Sequence, residues 1–334
     1  MKNRILVTGG AGYIGSHVVK LLLENTDNDV TVIDSLITGF ESTVKELKKI
    51  RDFEFIKSDL SNWDETEGIF KAKKFDAIIH FAASLIVPES VEKPLKYYFN
   101  NTANTANLVK LANDYGVKKF VFSSTAAVYG EPDLMENGIS ENFPTNPINP
   151  YGQSKLFSEK IIQDAAKANP DFKYVIFRYF NVAGAAPDLS IGQKTKNATH
   201  LIKVASECAA GKRKGMYIFG TDYPTPDGTC IRDYIHVMDL ADAHIKALAY
   251  LDNSKSDIFN IGYGRGLSVK EVIDTVKKVS GVDFEVENAP RRAGDPALLI
   301  ADNSKIKEKM KWHPKYDDLE FICKTAYEWE KKLI

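Results

Sequence analysis

Arg4-Ile5-Leu6-Val7-Thr8-Gly9-Gly10-Ala11-Gly12-Tyr13-Ile14-Gly15 is the stretch that decides the fold of this chain. Residues 4–8 are an apolar, β-branched run typical of a buried strand, and helical apolar spacing follows over residues 16–24. Glycines at positions 9, 12 and 15 permit a tight turn, close backbone approach to a pyrophosphate and close packing of the helix on the strand. The sequence therefore predicts a strand, a glycine turn and a helix whose N-terminus faces a bound dinucleotide.

A second strand, residues 30–33, ends in Asp34. This is near the offset of about 20 residues from the glycine turn at which dinucleotide-binding units carry an acid for the ribose. A carboxylate accepts hydrogen bonds from a ribose 2′-hydroxyl and repels a 2′-phosphate, so Asp34 predicts NAD as the cofactor in preference to NADP.

The alternation of strands and helices continues along the chain. Short apolar runs at 53–56, 77–83 and 119–125 predict further strands, and the pattern from about Glu89 to Tyr115 predicts one long helix. This order is typical of an α/β fold with a Rossmann-type, doubly wound parallel sheet. Such sheets bind ligands at the carboxyl ends of their strands, where Asp59 would meet the adenine and the small Ala82 and Ala83 would let the cofactor lie close. We interpret His80, inside the fourth strand, as a core histidine.

Composition excludes several classes of partner. The 334 residues are 44% apolar and 27% charged, with 44 basic and 45 acidic residues and a net charge of −1. This balance argues against binding to bulk nucleic acid or to an anionic membrane surface. The three cysteines are widely spaced without a Cys-x-x-Cys pair, which predicts reduced thiols, and no metal-ligand cluster stands out. With neither a leader nor an apolar run of about 18 residues, we expect a cytoplasmic protein.

The segment 149–155, Asn-Pro-Tyr-Gly-Gln-Ser-Lys, carries the predicted chemistry. Tyr151 and Lys155 are four residues apart, which places them on one face of a helix, and Pro150 suits its first turn. An ammonium near a phenol stabilises the phenolate, and a phenol with a lowered pKa is a general base. The spacing alone is weak evidence because it recurs at two other places, Tyr115/Lys119 and Tyr327/Lys331.

Thr125, at the end of the fifth strand, adds a hydroxyl to the phenol and ammonium of the following helix. At this point the chain resembles the extended short-chain dehydrogenase/reductase family, and it is similar over its whole length to the UDP-sugar epimerases of that family. The similarity lies in the glycine turn through His17 and in the segments 123–130 (Ser-Ser-Thr-Ala-Ala-Val-Tyr-Gly), 178–185 (Arg-Tyr-Phe-Asn-Val-Ala-Gly-Ala), 227–240 (Asp-Gly-Thr-Cys-Ile-Arg-Asp-Tyr-Ile-His-Val-Met-Asp-Leu) and 289–295 (Ala-Pro-Arg-Arg-Ala-Gly-Asp).

The resemblance implies interconversion of UDP-galactose and UDP-glucose, a reaction of galactose metabolism. Tyr151 would take the proton from the sugar 4-hydroxyl, and hydride would pass from C4 to a tightly bound NAD. The resulting 4-ketose would turn over before the hydride returns. Lys155 would bind the nicotinamide ribose and Thr125 the reacting oxygen. The family usually has serine where this chain has Thr125, and threonine keeps the hydroxyl.

The resemblance also implies two sets of binding residues. The cofactor set is Gly9, Gly12, Tyr13, Ile14, Gly15, Asp34, Asp59, Leu60, Phe81, Ala82, Ala83, Asn100, Ser123, Tyr151, Lys155 and Tyr179. The substrate set is Thr125, Tyr151, Asn181, His200, Leu201, Tyr217, Phe219, Arg232, Arg292, Asp295 and Leu299. We expect an NAD-binding domain over 1–180 with a return segment at about 233–262, and a UDP-sugar-binding domain over 181–232 and 263–334. A homodimer formed through helices near 89–115 and 150–169 is also expected from the family.

Three positions bear on the choice of reaction. Related dehydratases carry an acidic pair where this chain has Ala126-Ala127, and alanine can be neither the acid nor the base of a water elimination. Leu85 stands where many of these epimerases have a lysine near the cofactor. Leu299 falls near the position thought to limit bulk at C2 of the sugar, and its intermediate size leaves activity on UDP-N-acetylhexosamines open.

Two alternatives to a 4-epimerase remain on the sequence alone. One is another UDP-sugar enzyme of the same family, such as a uronic-acid epimerase or decarboxylase, which would need a pocket for a C6 carboxylate that we do not identify. The other is a non-enzymatic sensor of NAD or a nucleotide sugar. Retention of Thr125, Tyr151 and Lys155 together argues against a sensor, since binding alone does not require a tuned phenol.

Overall fold

A computed structural model describes residues 2–132, 138–196, 198–292 and 295–334. Contacts divide the chain into two compact units, residues 1–128, 147–178 and 241–259 forming one and residues 129–146, 179–240 and 260–334 the other. No helix of the described residues is long and apolar enough to cross a membrane.

The elements alternate along most of the chain. The strands are β1 (Arg4–Thr8), β2 (Asp29–Asp34), β3 (Glu54–Lys57), β4 (Ala77–His80), β5 (Lys119–Thr125), β6 (Lys173–Tyr179), β7 (Asn181–Ala183), β8 (Gly215–Phe219), β9 (Ile231–Arg232), β10 (Tyr234–His236), β11 (Asp257–Ile261), β12 (Leu267–Ser268), β13 (Glu285–Ala289) and β14 (Leu298–Leu299). The helices are α1 (Tyr13–Asn25), α2 (Glu41–Lys48), α3 (Trp63–Ala72), α4 (Val87–Glu92), α5 (Pro94–Tyr97), α6 (Asn104–Asp114), α7 (Pro150–Ala168), α8 (Leu201–Ala209), α9 (Val237–Asn253), α10 (Val269–Ser280), α11 (Ser304–Met310) and α12 (Leu319–Lys332).

Seven strands form the central sheet in the order β11-β6-β5-β4-β1-β2-β3. Strands β1 to β5 run parallel, with Thr8 of β1 level with Ile33 of β2 and with His80 of β4. The chain order reverses between β1 and β4, so this is the point at which an open α/β sheet binds its ligand. The predicted α/β, doubly wound sheet is confirmed.

The long helix predicted over residues 89–115 is wrong in its continuity. The segment forms α4, α5, a π-helical turn (Tyr98–Ala103) and α6. Pro94 begins α5, and a proline cannot donate the hydrogen bond that would continue α4 into it. A π-turn inserts one extra residue into the helical ladder and often marks a functional site. This one lies against α7, because the Asn101 amide donates to Ser154 Oγ at 3.0 Å and Thr102 Oγ1 donates to the Ser154 carbonyl at 3.0 Å.

The second unit includes residues that the sequence analysis assigned to the first domain, namely 129–146, 179–180, 233–240 and 260–262. Hydrogen bonding explains the two longer segments. Ile139 pairs with Ala301, and β10 pairs in parallel with β7. The functional labels of the two domains remain predictions.

Candidate functional site

The glycine turn after β1 closes on the segment that follows β4. Gly9 has a φ of +73°, and a Cβ added there would lie 2.7 Å from the amide nitrogen of Ala82. A Cβ on Gly15 would lie 2.3 Å from the Gly9 carbonyl oxygen. The packing of the protein therefore requires glycine at both positions. Tyr13 and Ile14 follow the turn directly, as the first two residues of α1.

Asp34 lies at the end of β2, where its carboxylate organises the same turn. Its two oxygens accept the backbone amides of Ala11 at 2.9 Å and Leu36 at 2.8 Å. Burial nevertheless raises the pKa of Asp34, while these hydrogen bonds lower it. Each carboxylate oxygen has a second lone pair, so the side chain can still accept from a ribose hydroxyl.

Other predicted cofactor residues lie at strand ends of the first unit. Asp59 is half-buried two residues beyond β3 and accepts the amide of Ser61. Leu60 is buried, and the Phe81 ring contacts His244 with 5.0 Å between centroids. The Asn100 amide donates to Ser84 Oγ at 3.1 Å.

Tyr151 lies in the first turn of α7. Asn149 caps this helix by accepting the amide of Gly152 at 2.9 Å, and Pro150 occupies its first position, as its fixed φ favours. The Tyr151 phenol lies beside the Thr125 side chain, at the end of β5. Burial raises the pKa of Tyr151, and the hydrogen bond to Thr125 lowers it. The predicted juxtaposition of Thr125 and Tyr151 is present in the structure.

Lys155 lies one turn further along α7 and is 3% exposed. Its ammonium donates to the carbonyl of Ser123 at 2.7 Å and lies 4.9 Å from the centre of the Phe122 ring. Burial lowers the pKa of Lys155 to about 7, and Glu159 opposes that shift. Burial therefore moves both Lys155 and Tyr151 towards their neutral forms, and the predicted lowering of the Tyr151 pKa beside the ammonium stays a prediction.

The sequence analysis missed a buried charged group behind this site. Glu159 is one turn beyond Lys155 and is fully buried with Arg178 and Ser124. Its spacing of eight residues from Tyr151 was the available signal, since residues at i, i+4 and i+8 share a helix face.

His80 is a core residue, as interpreted from the sequence. Its Nδ1 lies 2.6 Å from Thr8 Oγ1 and its Nε2 lies 2.9 Å from Thr105 Oγ1. Burial, and then the charge of Lys155, lowers the pKa of His80 to about 3.

Predicted substrate residues cluster on the small sheets of the second unit. Tyr217 and Phe219 lie on β8 with ring centroids 6.2 Å apart, and Tyr217 is 52% exposed. The guanidinium of Arg292 lies 3.7 Å from the centre of the Phe219 ring. Leu299, on β14, is level with Arg232 on β9. Residues 293 and 294 of the motif 289–295 lie outside the described residues.

Arg232 and Asp295, both predicted to bind the substrate, form an ion pair with each other. Arg232 also donates to its neighbour's carbonyl, that of Ile231, at 2.8 Å. The guanidinium is 9% exposed and therefore already oriented by the protein.

Asn181, His200 and Leu201 meet at a cavity of about 20 Å³, which has room for one water molecule rather than a nucleotide. His200 precedes α8, and its Nδ1 lies 3.3 Å from Gln193 Nε2. Tyr179, predicted to bind the cofactor, is buried at the end of β6 and belongs to the second unit.

The first unit fits a dinucleotide. The added-Cβ distances show a turn that requires glycine at positions 9 and 15, it opens a helix N-terminus, and an acid follows the second strand. Ser58, just before Asp59, has a buried hydroxyl oxygen that no described residue hydrogen-bonds. A polar group left buried in this way suits an adenine or ribose partner.

Comparisons with known proteins agree with this geometry. The model of the NAD dependent epimerase/dehydratase family matches residues 5–262. The UDP-glucose 4-epimerase of Lacticaseibacillus casei is 48% identical over 328 residues, which are 98% of this chain and 96% of that protein. The structure of the UDP-Glc/GlcNAc 4-epimerase of Campylobacter jejuni is 57% identical with a TM-score of 0.88, over 99% of both chains. The structure of UDP-glucose 4-epimerase of Bifidobacterium longum in complex with NAD+ and UDP is 36% identical with a TM-score of 0.93, over 98% of both chains.

Proposed function

Because the chain belongs to the NAD-dependent epimerase/dehydratase family, we propose that it interconverts UDP-galactose and UDP-glucose by inverting C4 of the sugar. The juxtaposition of Thr125 and Tyr151, with Lys155 one turn away, carries the proposal. This set supplies a proton acceptor, a hydroxyl for the reacting oxygen and a positive charge, which are the protein groups that oxidation of an alcohol needs.

NAD is the cofactor. The glycine turn and the N-terminus of α1 would hold its pyrophosphate, Asp34 a ribose, and Ser58, Asp59 and Leu60 the adenine end. When bound, it accepts a hydride from C4 of the sugar and returns the hydride to the opposite face.

Tyr151 holds and moves the proton of the reaction. Its phenolate oxygen takes the proton from the sugar 4-hydroxyl during oxidation and gives it back to the 4-keto oxygen during reduction. Thr125 orients the reacting oxygen through its hydroxyl. The Lys155 ammonium favours the charged form of the phenol, which burial disfavours.

The second unit recognises the nucleotide. Arg232 and Arg292 would bind diphosphate oxygens, for which a guanidinium fork is suited. For Arg232 this means exchanging its Asp295 partner for phosphate, which frees the Asp295 carboxylate for the uridine ribose. The exposed ring of Tyr217, near Phe219, would flank the uracil.

UDP-N-acetylhexosamines are a second substrate class that this chain would turn over. Leu299 lies on a two-residue strand, is half-buried, and is smaller than the tyrosine expected of a strict glucose/galactose enzyme. The Campylobacter jejuni protein, by its name, acts on both sugar types and is 57% identical to this chain.

A homodimer is proposed from an exposed apolar stripe on the first unit. Val91, Leu95 and Phe99 recur every four residues and are 63%, 66% and 68% exposed. Phe157 of α7 is 45% exposed, and its ring lies 5.9 Å from that of Tyr98. A second copy of the chain would bury this stripe, since apolar patches of this kind mark protein interfaces.

The predicted cytoplasmic location is supported by the three cysteines, all of them free and buried.

The function is tested by proton NMR of UDP-galactose incubated with the purified protein and no added NAD. Appearance of UDP-glucose is expected, because the cofactor is regenerated in each cycle. Tyr151→Phe should lower the rate by at least about 10²-fold while bound NAD is retained, because it removes only the proton acceptor. No conversion by the parent, with NAD confirmed in the protein, would refute this reaction and lead next to uronic and N-acetylated UDP-sugars.

A further inference from the structure

A buried carboxylate lies directly behind the proposed oxidation site. Glu159 Oε1 accepts Ser124 Oγ at 2.5 Å and Arg178 Nε at 3.1 Å, and Glu159 Oε2 accepts Arg178 Nη2 at 2.7 Å. The three residues are 0%, 1% and 4% exposed in the order Glu159, Ser124, Arg178. The carboxylate is therefore fixed at both oxygens and cannot turn away.

The Glu159 carboxylate accepts a hydrogen bond from the central one of the last three residues of β5, which contribute to the proposed site. Ser124 lies between Ser123, whose carbonyl accepts Lys155, and Thr125, whose hydroxyl meets Tyr151. The bond from Ser124 to Glu159 thus ties this end of β5 to the same helix, α7, that carries Tyr151 and Lys155. A site held to within about half an ångström needs such support behind the reacting groups.

Stability does not explain the arrangement. A buried ion pair typically gains little over well-packed apolar residues, because desolvation of both charges offsets their attraction. A fully buried Glu159–Arg178 pair one helical turn from a buried lysine therefore calls for a different explanation.

We propose that Glu159 is a positioning residue of the oxidation site, which fixes the Ser123–Thr125 strand end and holds the Lys155 ammonium in its charged form beside Tyr151. The proposal rests on the function proposed above and deepens it. Burial works against the charge of Lys155, and Glu159 is the neighbouring group that opposes this effect.

The charged and titratable groups around Lys155 are few among the described residues. Tyr151 and Glu159 lie on its own helix, Arg178 on β6 and His80 on β4. His80 is neutral above a pH of about 3, because its pKa is lowered to that value. Loss of the Glu159 charge should therefore lower the pKa of Lys155 further, and the neutral amine would no longer favour the Tyr151 phenolate.

The test is titration of Lys155 in the cofactor-loaded protein by NMR of labelled lysine, with the signal assigned by its loss in Lys155→Met. The Glu159→Gln substitution keeps the size of the side chain and removes its negative charge. We expect the titration midpoint to fall by at least about one pH unit, a tenfold change in the equilibrium, and the alkaline limb of kcat to move with it. An unchanged midpoint in a folded Glu159→Gln protein would overturn the proposal.

Two further variants keep the test decisive. Glu159→Gln combined with Arg178→Met does not leave the Arg178 guanidinium buried without its partner, so it should fold even if the single variant does not, and it should still lower the Lys155 midpoint. Ser124→Ala keeps all charges and removes one hydrogen bond; we expect kcat to fall several-fold with KM and the midpoint unchanged. An unaltered kcat would overturn the positioning role. Because the Lys155 titration needs no turnover, a protein without epimerase activity would refute the proposed function and still report on Glu159.

Discussion

Replacing Gly12 by alanine should remove NAD binding and leave the fold intact. The three glycines of the turn differ in this respect. Gly9 and Gly15 are required by the protein itself, as the 2.7 Å and 2.3 Å contacts of an added Cβ show. At Gly12, the φ of −79° is available to any residue, and the only described atom within 4 Å of an added Cβ is the Gly9 carbonyl oxygen, at 3.3 Å. A ligand therefore explains this glycine better than packing does.

The magnitudes follow from these distances. Gly12 is the N-cap of α1 without a side-chain cap, so alanine there should lower the free energy of unfolding by only about 0.5–1 kcal/mol. Gly15→Ala should cost about 3 kcal/mol, because the Gly9 backbone must move. NAD at about 100 times its Kd adds about 2.7 kcal/mol to the stability of the parent. If alanine weakens binding about 100-fold, the same NAD adds only about 0.4 kcal/mol.

The assay is thermal unfolding of cofactor-stripped protein with and without NAD, together with calorimetric titration. Gly68→Ala is the matched control, because no described atom lies within 4 Å of its added Cβ and it sits inside α3. That control should gain about 0.5–1 kcal/mol in stability and keep its response to NAD. A Gly12→Ala protein stabilised by NAD as strongly as the parent would refute the assignment of this turn to the pyrophosphate.

Three other predictions concern single side chains. Lys155→Met should abolish turnover yet raise the melting temperature near pH 7. The pKa of Lys155 in the folded protein, about 7, lies below its ordinary 10.5, so the lysine destabilises the fold fully below about pH 7. The gain in stability should vanish as the pH rises to about 10.5, which denaturation at several pH values would check. Phe99→Glu should convert the proposed dimer to a monomer in sedimentation, whereas Val282→Glu, on the other unit, should not. Leu299→Tyr should lower turnover of UDP-N-acetylgalactosamine relative to UDP-galactose by about tenfold or more, and equal ratios in variant and parent would show that this position does not gate.

The sequence was sufficient for most of the central sheet. Strand β5 was predicted residue for residue, and β1 likewise, because each is an apolar run bounded by glycine or polar residues. The region 89–115 was harder, since apolar spacing of four is the same in one long helix and in three short helices with a π-turn. Pro94 was the visible sign of the interruption.

The sequence predicted which residues belong to the candidate site better than it predicted the contacts between them. Thr125 and Tyr151 could be placed together because a strand end and the next helix N-terminus meet at one edge of a parallel sheet. The Arg232–Asp295 ion pair was not foreseen, because both residues were assigned to the same ligand and sequence spacing does not reveal contacts 63 positions apart. Glu159 was missed for a related reason, since its partners Ser124 and Arg178 come from two different strands.

The pKa values of Tyr151 and Lys155 change how the proposed reaction is controlled. Sequence reasoning joined a phenol and an ammonium and expected a phenolate, but burial moves both groups towards their neutral forms, raising the pKa of Tyr151 and lowering that of Lys155. Burial disfavours the charged form of each group, so the pKa of the Tyr151 phenol stays above its ordinary value even with Lys155 one turn away. Additional positive charge beside Tyr151 is needed to reverse this, and an oxidised nicotinamide ring is a cation. If Tyr151 takes the proton as proposed above, its abstraction is coupled to the oxidised state of the cofactor, which confines the base to the half of the cycle that uses it.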